Sequence, residues 1–396
     1  MKKKLLIVGA GFGQLPAIET AKKMGVTTIV VDKNPNAIGA ALADRFYEVD
    51  IIDKEAVLKV AQENAVSGIM TMQSDLPVPT IGYVNDIMGL KGVSFEVANY
   101  CSNKLETRKR LKEKSAAQPT FEIISTLVQA KDAANSIGYP CVVKAPDSSG
   151  SRGITKVNSE VEVEAAYNEA FKYSRESAIL VEEFIEGLEF GAQTFSVNGE
   201  CKIVLLHGDT LSEPPYMIPI GHSFPFELLS NEEIQIAIND IKEAVNALGI
   251  INGPSNVDLI LDKNTNRVKI IEIGARIGAT CLPELVFHHT GIDWVKQTIL
   301  NAMNEEVDLE PKKNQPVAAL IIESPKDGKF DSYFFENEND QNDLIEFEIT
   351  VKKGDEVNVL RKGTDRIGKI LVYGKSVENA EKLAMEIRNN IVINVI

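Results

Sequence analysis

The chain reads as an α/β protein that gives way to α+β organisation part-way along, and three observations predict it. Over residues 1–100, short apolar segments alternate with helical ones, the spacing of βαβ units on a parallel sheet. Beyond residue 185 the strand-like segments follow one another closely enough to pair antiparallel. The chain has 396 residues, 44% hydrophobic and 25% charged, which is ordinary globular composition with room for several hydrophobic cores.

In order, residues 5–8 form an apolar strand and 16–24 a helix that Gly25 ends. Residues 27–31 are a β-branched strand, 46–49 a short one, 54–63 a helix and 68–72 another apolar strand. A charged helix spans 104–114. Short strands at 120–124, 141–144 and 179–183 then alternate with helical stretches. Segments 190–197, 202–207, 256–261 and 268–272 read as antiparallel strands, the last two joined by a turn at Asn264-Thr265-Asn266. Helical periodicity marks 231–248 and 291–304, and 317–322 reads as a buried strand. Residues 216–226 read as a Pro-rich loop holding His222, and 325–345 as a polar, acidic loop or solvated edge. Strands at 345–351 and 368–373 and a helix at 377–389 complete the chain, and His288-His289 read as a helix end. No internal repeat or low-complexity segment interrupts this order.

The net charge of −15, from 42 Lys+Arg and 57 Asp+Glu, argues against a nucleic-acid partner, which needs a positive footprint. The apolar runs fall far short of the roughly 20 residues of a membrane helix. Cys101, Cys141, Cys201 and Cys281 form no C-x-x-C pair, so they fit a reducing compartment better than a zinc site. Met1-Lys2-Lys3-Lys4 runs almost directly into a glycine-rich turn and reads as the start of a first strand, not as a signal peptide. A cytoplasmic protein is expected.

Four clusters carry chemistry. The first is Gly9-Ala10-Gly11-Phe12-Gly13 with Asp32 at the end of the next strand. It invites a dinucleotide reading, but Gln14 stands where that fingerprint needs a glycine, so a plain strand-to-helix turn is the stronger reading. The second is Lys104, Lys144 and the loop Ser148-Ser149-Gly150-Ser151-Arg152-Gly153. Small residues let backbone N–H groups approach phosphate oxygens, and a strand-end lysine adds a point charge; a surface loop beside a capping lysine is the plain alternative. The third, Glu182-Glu183-Phe184-Ile185-Glu186-Gly187-Leu188-Glu189, is either a strand and turn or a hinge beside an adenine. The fourth pairs Asp258 with Glu272 on strands joined by a short turn, with Arg276 four residues on. Two facing carboxylates repel unless a cation sits between them, and hard oxygen donors suit Mg²⁺ or Mn²⁺. An acidic hairpin is the plain alternative, although the isoleucines before Glu272 and the Gly-Ala-Arg-Ile-Gly after it are odd for a solvated turn.

Taken in order, the four clusters resemble the ATP-grasp superfamily over nearly the whole chain, most closely the carboxylate–amine ligases related to L-amino acid ligases and carbamoyl-phosphate synthase. The resemblance implies a Rossmann-like preceding domain (1–100), an ATP-grasp domain of two subdomains holding nucleotide and metal (101–315), and a small C-terminal α+β cap (316–396). It implies that Lys104 and Lys144 contact ATP phosphates and that Ser148, Ser149, Gly150, Ser151, Arg152 and Gly153 form the loop over them. Glu182 matches the acid near the adenine amine, Glu183 and Ile185 the hinge, and Glu189 the ribose acid. Asp258 and Glu272 match the metal ligands and Arg276 the catalytic arginine at the transferred phosphoryl group. The backbone around 277–280 is a candidate for holding the substrate carboxylate.

One position departs from the pattern. Many members have asparagine two residues after the second carboxylate, and here Gly274 stands there, which puts a second metal in doubt unless water or Asn256 substitutes. The implied activity is phosphorylation of a small carboxylate to an acyl phosphate and its condensation with an amine, amino acids being candidate substrates. A carboxylase or carbamoyl-phosphate-type reaction is the alternative within the superfamily. A dinucleotide-dependent oxidoreductase and a non-catalytic nucleotide-binding subunit are alternatives from other classes. Homodimers are common in the superfamily, which is analogy only.

Overall fold

Apolar runs such as Leu5–Val8 have no polar face to give to water, so their strands must be covered on both sides, and that favours a parallel sheet. In the computed structural model, which describes residues 3–146, 153–174, 177–213, 218–337 and 342–396, this is what forms. Strands Lys4–Val8, Thr27–Asp32, Arg45–Glu48 and Gly68–Met70 make a sheet in which every pair is parallel, with Lys4–Val8 between Thr27–Asp32 and Gly68–Met70. Leu6, Val8, Ile29 and Val31 are fully buried against Val57, Ala61 and Val84.

The chain divides into two compact units. The first comprises Met1–Val204, Ser230–Ala279 and Trp294–Leu309, and it holds the parallel sheet and two antiparallel ones. Strands Phe121–Ile124, Ile179–Glu183, Cys141–Lys144 and Ile154–Val157 form one, all antiparallel, under helices Leu127–Ile137 and Glu160–Tyr173. Those helices present alanines (Ala130, Ala133, Ala134, Ala166, Ala170) to the sheet, so they lie close to it. Strand Gly253–Asp262 pairs with Gly187–Val197 on one side and with Arg267–Gly274 on the other. Strands Gly253–Asp262 and Arg267–Gly274 are the site hairpin. Trp294, 1% exposed, meets Phe195 edge to face at 5.3 Å between ring centroids, in the first unit's core.

The second unit comprises Leu205–Leu229, Thr280–Asp293 and Glu310–Ile396. Here the end of strand Glu200–Leu211 pairs with Pro219–Phe224, which pairs with Val317–Ile322, then Gly368–Tyr373, then Leu344–Ile349, all antiparallel. A smaller sheet joins Gly328–Phe335 to Ile391–Val395 and Glu356–Val357. Helix Val377–Asn389 contributes Ala380, Ala384 and Ile387 to the core of this unit.

Two expectations are corrected. Residues 216–226 are not simply a Pro-rich loop, because Pro219–Phe224 is a strand whose residues Ile220–Phe224 are buried. Residues 325–345 contain strand Gly328–Phe335, because Phe330 enters the core while polar side chains alternate with it. Helices Val78–Met88 and Phe95–Ser102 also went unread. They pack against each other at Gly82, where a Cβ would stand 2.6 Å from the Ser94 carbonyl. Among the described residues, no helix is long and apolar enough to cross a membrane.

Truncating Trp294 to alanine leaves Phe195 without its edge-to-face partner. The Trp294→Ala variant is expected to lose about 3–5 kcal/mol of stability, read as a shift in the urea midpoint.

Candidate active site

The glycine turn at the N-terminus is closed from within. Gly9 takes φ +102°, open to glycine alone without strain. The Asp32 carboxylate accepts from the Ala10 N–H at 2.8 Å. Gln14 accepts from the Gly11 N–H at 3.0 Å and donates to the Met72 carbonyl at 2.6 Å. The side chain that broke the dinucleotide fingerprint thus uses a donor that a pyrophosphate would need, and the turn reads as structural.

Helix Lys104–Glu113 starts at Asn103, whose side chain accepts from the Leu105 and Glu106 N–H groups at 2.9 and 3.4 Å. Residues four apart share a helix face, so Lys104 and Arg108 point the same way. Lys104 Nζ reaches Glu272 at 3.2 Å. Arg108, 1% exposed, donates to the Ile270 and Ile271 carbonyls at 3.1 and 2.9 Å, the two residues before Glu272. Its Nε also donates to Glu182 at 2.6 Å, and Lys144 closes a second contact on the same carboxylate.

Glu182 is 2% exposed, so this is a buried triad of two cations and one anion. Burial pushes the Glu182 carboxyl up, but Arg108 and Lys144 outweigh it and hold the group down at about 2. Burial pulls the Lys144 ammonium below the usual lysine range, against the opposing attraction of Glu182.

Asp258 and Glu272 are direct cross-strand partners in the site hairpin, with a register shift just after Asp258. Asp258 is exposed and receives a hydrogen bond from Asn256 Nδ2 at 3.0 Å. The Asn256 oxygen in turn accepts from Gln193 at 2.6 Å, and Gln193 accepts from the Gly278 N–H at 3.2 Å. Asn256 therefore orients Asp258, and its oxygen already has a partner. Two hard carboxylates brought face to face beside one ammonium fit a divalent cation bound by oxygen.

Arg276 is clamped by Asp75, which accepts from Nε and Nη2 at 2.8 Å each, a two-bond fork. Burial lowers the tendency of this guanidinium to stay charged, but Asp75, Asp258 and Glu272 reverse that and raise its pKa. Asp75 is placed by a parallel bridge between Met72 and Ile277, reinforced by Gln73 N–H donating to the Ile277 carbonyl at 3.1 Å. Gly274 now has a physical reason. A Cβ there would stand 2.7 Å from Asp75 Oδ1 and 3.3 Å from Arg276 Cζ, so the Asp75–Arg276 pair occupies the room an asparagine would take.

The structure therefore brings Lys104, Asp258, Glu272 and Arg276 to one end of the site hairpin, with Lys144 and Glu182 in the buried triad tied to the same strand. Glu183 accepts from the Thr120 N–H at 2.9 Å and from Lys269 at 3.3 Å. Ile185 is buried, and Glu189 is exposed on its strand opposite Ile260. Ser148, Ser149, Gly150, Ser151 and Arg152 lie outside the described residues. Gly153 is described, and its carbonyl accepts from the Ala145 N–H at 2.9 Å while the Lys104 N–H donates to Pro146 at 3.0 Å, so both flanks of that segment are anchored. Sequence reasoning missed Asp75, Arg108 and Gln193. The one available signal was Asp75, an acid just past the C-terminal end of a parallel strand.

Burial, with Glu284 nearby, pushes the Cys281 thiol up to about 12, so it stays protonated at neutral pH.

Residues 101–280 match the family described as the ATP-grasp domain. The crystal structure of phosphoribosylglycinamide synthetase from Anaerococcus prevotii superposes with a TM-score of 0.85 at 30% identity, covering 100% of both chains. The chain belongs to the ATP-grasp family. In this ATP-grasp protein, residues 322–395 also match the L-amino acid ligase C-terminal domain 2. The structure of L-amino acid ligase from Bacillus licheniformis has the same fold, with a TM-score of 0.82 at 22% identity over 100% of this chain and 99% of that one. The N-terminal section of the carbamoyl phosphate synthase large chain from Methanopyrus kandleri is 25% identical over 301 residues, 69% of this chain and 52% of that protein. The chain thus spans about half of that relative, and 29% of the large chain from Thermoanaerobacter pseudethanolicus.

Two outcomes follow from this geometry. Glu182 has a folded pKa of about 2 against 4.5 for the free group, so its stabilisation is complete above pH 4.5 and fades as pH falls toward 2. Urea midpoints measured down this range should drop steeply in the natural protein and less steeply in Glu182→Gln, which starts lower by about 3–5 kcal/mol. Restoring the family's side chain with Gly274→Asn should displace the Asp75–Arg276 fork, lowering ATP turnover roughly hundredfold while ATP affinity, by isothermal titration, changes little.

Proposed function

We propose that this protein is an ATP-dependent carboxylate–amine ligase, working through an acyl phosphate and releasing ADP and phosphate. The observation that carries the reading is the convergence of Lys104, Asp258, Glu272 and the Asp75-clamped Arg276 at one end of the site hairpin. Binding a nucleotide alone needs no paired carboxylates facing a fixed guanidinium.

A carboxylate is unreactive toward amines at neutral pH because an oxide is a poor leaving group. In the first step a substrate carboxylate oxygen attacks the γ-phosphorus of ATP, the bond from that phosphorus to the β–γ bridging oxygen breaks, and ADP leaves. In the second, a neutral amine attacks the acyl carbon, the bond to the phosphate oxygen breaks, phosphate leaves with its electron pair, and the proton shed by the nitrogen passes to the departing phosphate or to solvent. Neither step needs the protein to form a covalent bond, so catalysis rests on position and charge.

Lys104 and Lys144 offset phosphate charge, and Arg276 faces the transferring phosphoryl group and the tetrahedral intermediate. Asp75 fixes the plane of that guanidinium before substrate arrives. Asp258 and Glu272 would hold Mg²⁺ or Mn²⁺, which when bound supplies positive charge to the phosphate oxygens. Glu183, Ile185 and Glu189 serve adenine and ribose, and the segment 148–153 covers the phosphates. In this reading 1–100 is the preceding domain, 101–315 holds nucleotide and metal, and 316–396 is the C-terminal domain. The match to an L-amino acid ligase C-terminal domain makes amino acids the first substrates to try.

The deciding experiment measures ADP and phosphate release across amino acids and small carboxylates, singly and in pairs, with products identified by mass spectrometry. Release that requires a particular pair, with a condensed product, is expected; nicotinamide-dependent oxidation with no ATP binding would sink the reading. Glu272→Ala should lower turnover by about three orders of magnitude. Its melting temperature should stay within a few degrees, because its side chain is 43% exposed. Lys144→Ala should weaken ATP binding more than it slows turnover at saturating ATP.

A further inference from the structure

The second unit carries a cluster that the proposed ligase chemistry does not use. His207 and Asp209 are two residues apart on strand Glu200–Leu211, so they project from the same face. Asp209 is the direct cross-strand partner of His222 on strand Pro219–Phe224. Two positions on one strand and one opposite place three side chains together without help from any loop. His207 Nδ1 lies 2.9 Å from Asp209 Oδ1, and His222 Nδ1 lies 2.6 Å from the same oxygen. One ligand atom from each residue falls within 4.8 Å of the others.

The rings are held from behind. His207 is 1% exposed and packs against Phe224 at 5.4 Å between centroids, and His222 is 7% exposed and meets His207 edge to face at 5.1 Å. Phe224 stacks on His289, whose Nδ1 is 2.8 Å from the Gln315 carbonyl. Asp209 is only partly buried, so one side of the cluster faces outward.

From this geometry we propose that His207, Asp209 and His222 form a binding site for a divalent transition-metal ion, with zinc the favoured occupant. Two imidazoles and one carboxylate are a nitrogen-rich set that suits Zn²⁺ far better than Mg²⁺, which prefers oxygen alone. Ligand atoms around tetrahedral zinc lie roughly 3.4 Å apart, given metal–ligand bonds of about 2.0–2.1 Å. The present separations of 2.9 and 2.6 Å therefore open by less than about an ångström, within the reach of side-chain torsions. Three protein ligands leave a fourth position, on the outward side of Asp209, for water or a small donor ligand. The site is separate in residues and in donor chemistry from Asp258 and Glu272, so it stands whether or not the ligase reading does.

The test uses the full chain, stripped with a chelator and titrated with zinc chloride against a chromophoric chelator in excess magnesium. One zinc ion per chain with micromolar or tighter affinity is expected. His222→Gln should weaken that affinity about hundredfold, while Glu272→Ala and His288→Gln leave it unchanged. If His222→Gln fails to fold, imidazole ¹⁵N shifts of the natural protein decide the matter, since the chain has only four histidines. Zinc-dependent shifts at His207 and His222 support the site. Zinc binding no tighter than about 100 µM, or binding that leaves those two rings unmoved, overturns it.

Discussion

The buried contact of Glu182 with Arg108 and Lys144 is the constraint on which the first unit's site depends. A carboxylate at 2% exposure cannot remain ionised unless cations and hydrogen bonds replace its water, and here both cations come from elements that carry other duties. Arg108 belongs to the helix that also presents Lys104, and it donates to the backbone just before Glu272. Lys144 ends the strand that leads to the 147–152 segment. One anion therefore sets the relative positions of a helix, a strand end and the site hairpin. A hydrophobic substitute of similar volume would fill the space, but it would not orient these three elements through directional bonds.

A second constraint acts across the hairpin. Cross-strand register puts Asp258 against Glu272, an unfavourable pairing of like charges in isolation. Lys104 and Arg276 offset part of it, and Arg276 is itself held by Asp75. The absence of a side chain at Gly274 is part of the same arrangement, because the Asp75 carboxylate fills that space. What looked in the sequence like a lost ligand is, in three dimensions, the room needed to hold an arginine in a fixed plane.

Legibility varied with the range of the interaction. The parallel sheet was readable because runs such as Leu5–Val8 and Thr28–Val31 declare burial on both faces. The facing of Asp258 and Glu272 was readable because a short turn joins their strands. Strand Pro219–Phe224 was hidden by the prolines at its start and on either side of it, and strand Gly328–Phe335 by the polar residues around it; both are strands because partners far along the chain supply their hydrogen bonds. Glu182 was read as an acid beside adenine, and its commitment to Arg108 could not be seen, because 74 residues separate the two.

By itself the sequence determined the α/β-to-α+β order of elements, the residue types of the candidate site and their spacing, because hydrophobic period, turn chemistry and charge are local properties. Only the tertiary structure decided which charges neutralise which. The Asp75–Arg276 fork spans 201 residues, the Lys104–Glu272 pair 168, and the His207–Asp209–His222 cluster depends on strand register. Electrostatic partnership falls off over a few ångströms in space and is indifferent to distance along the chain, so it becomes visible only once the chain has folded.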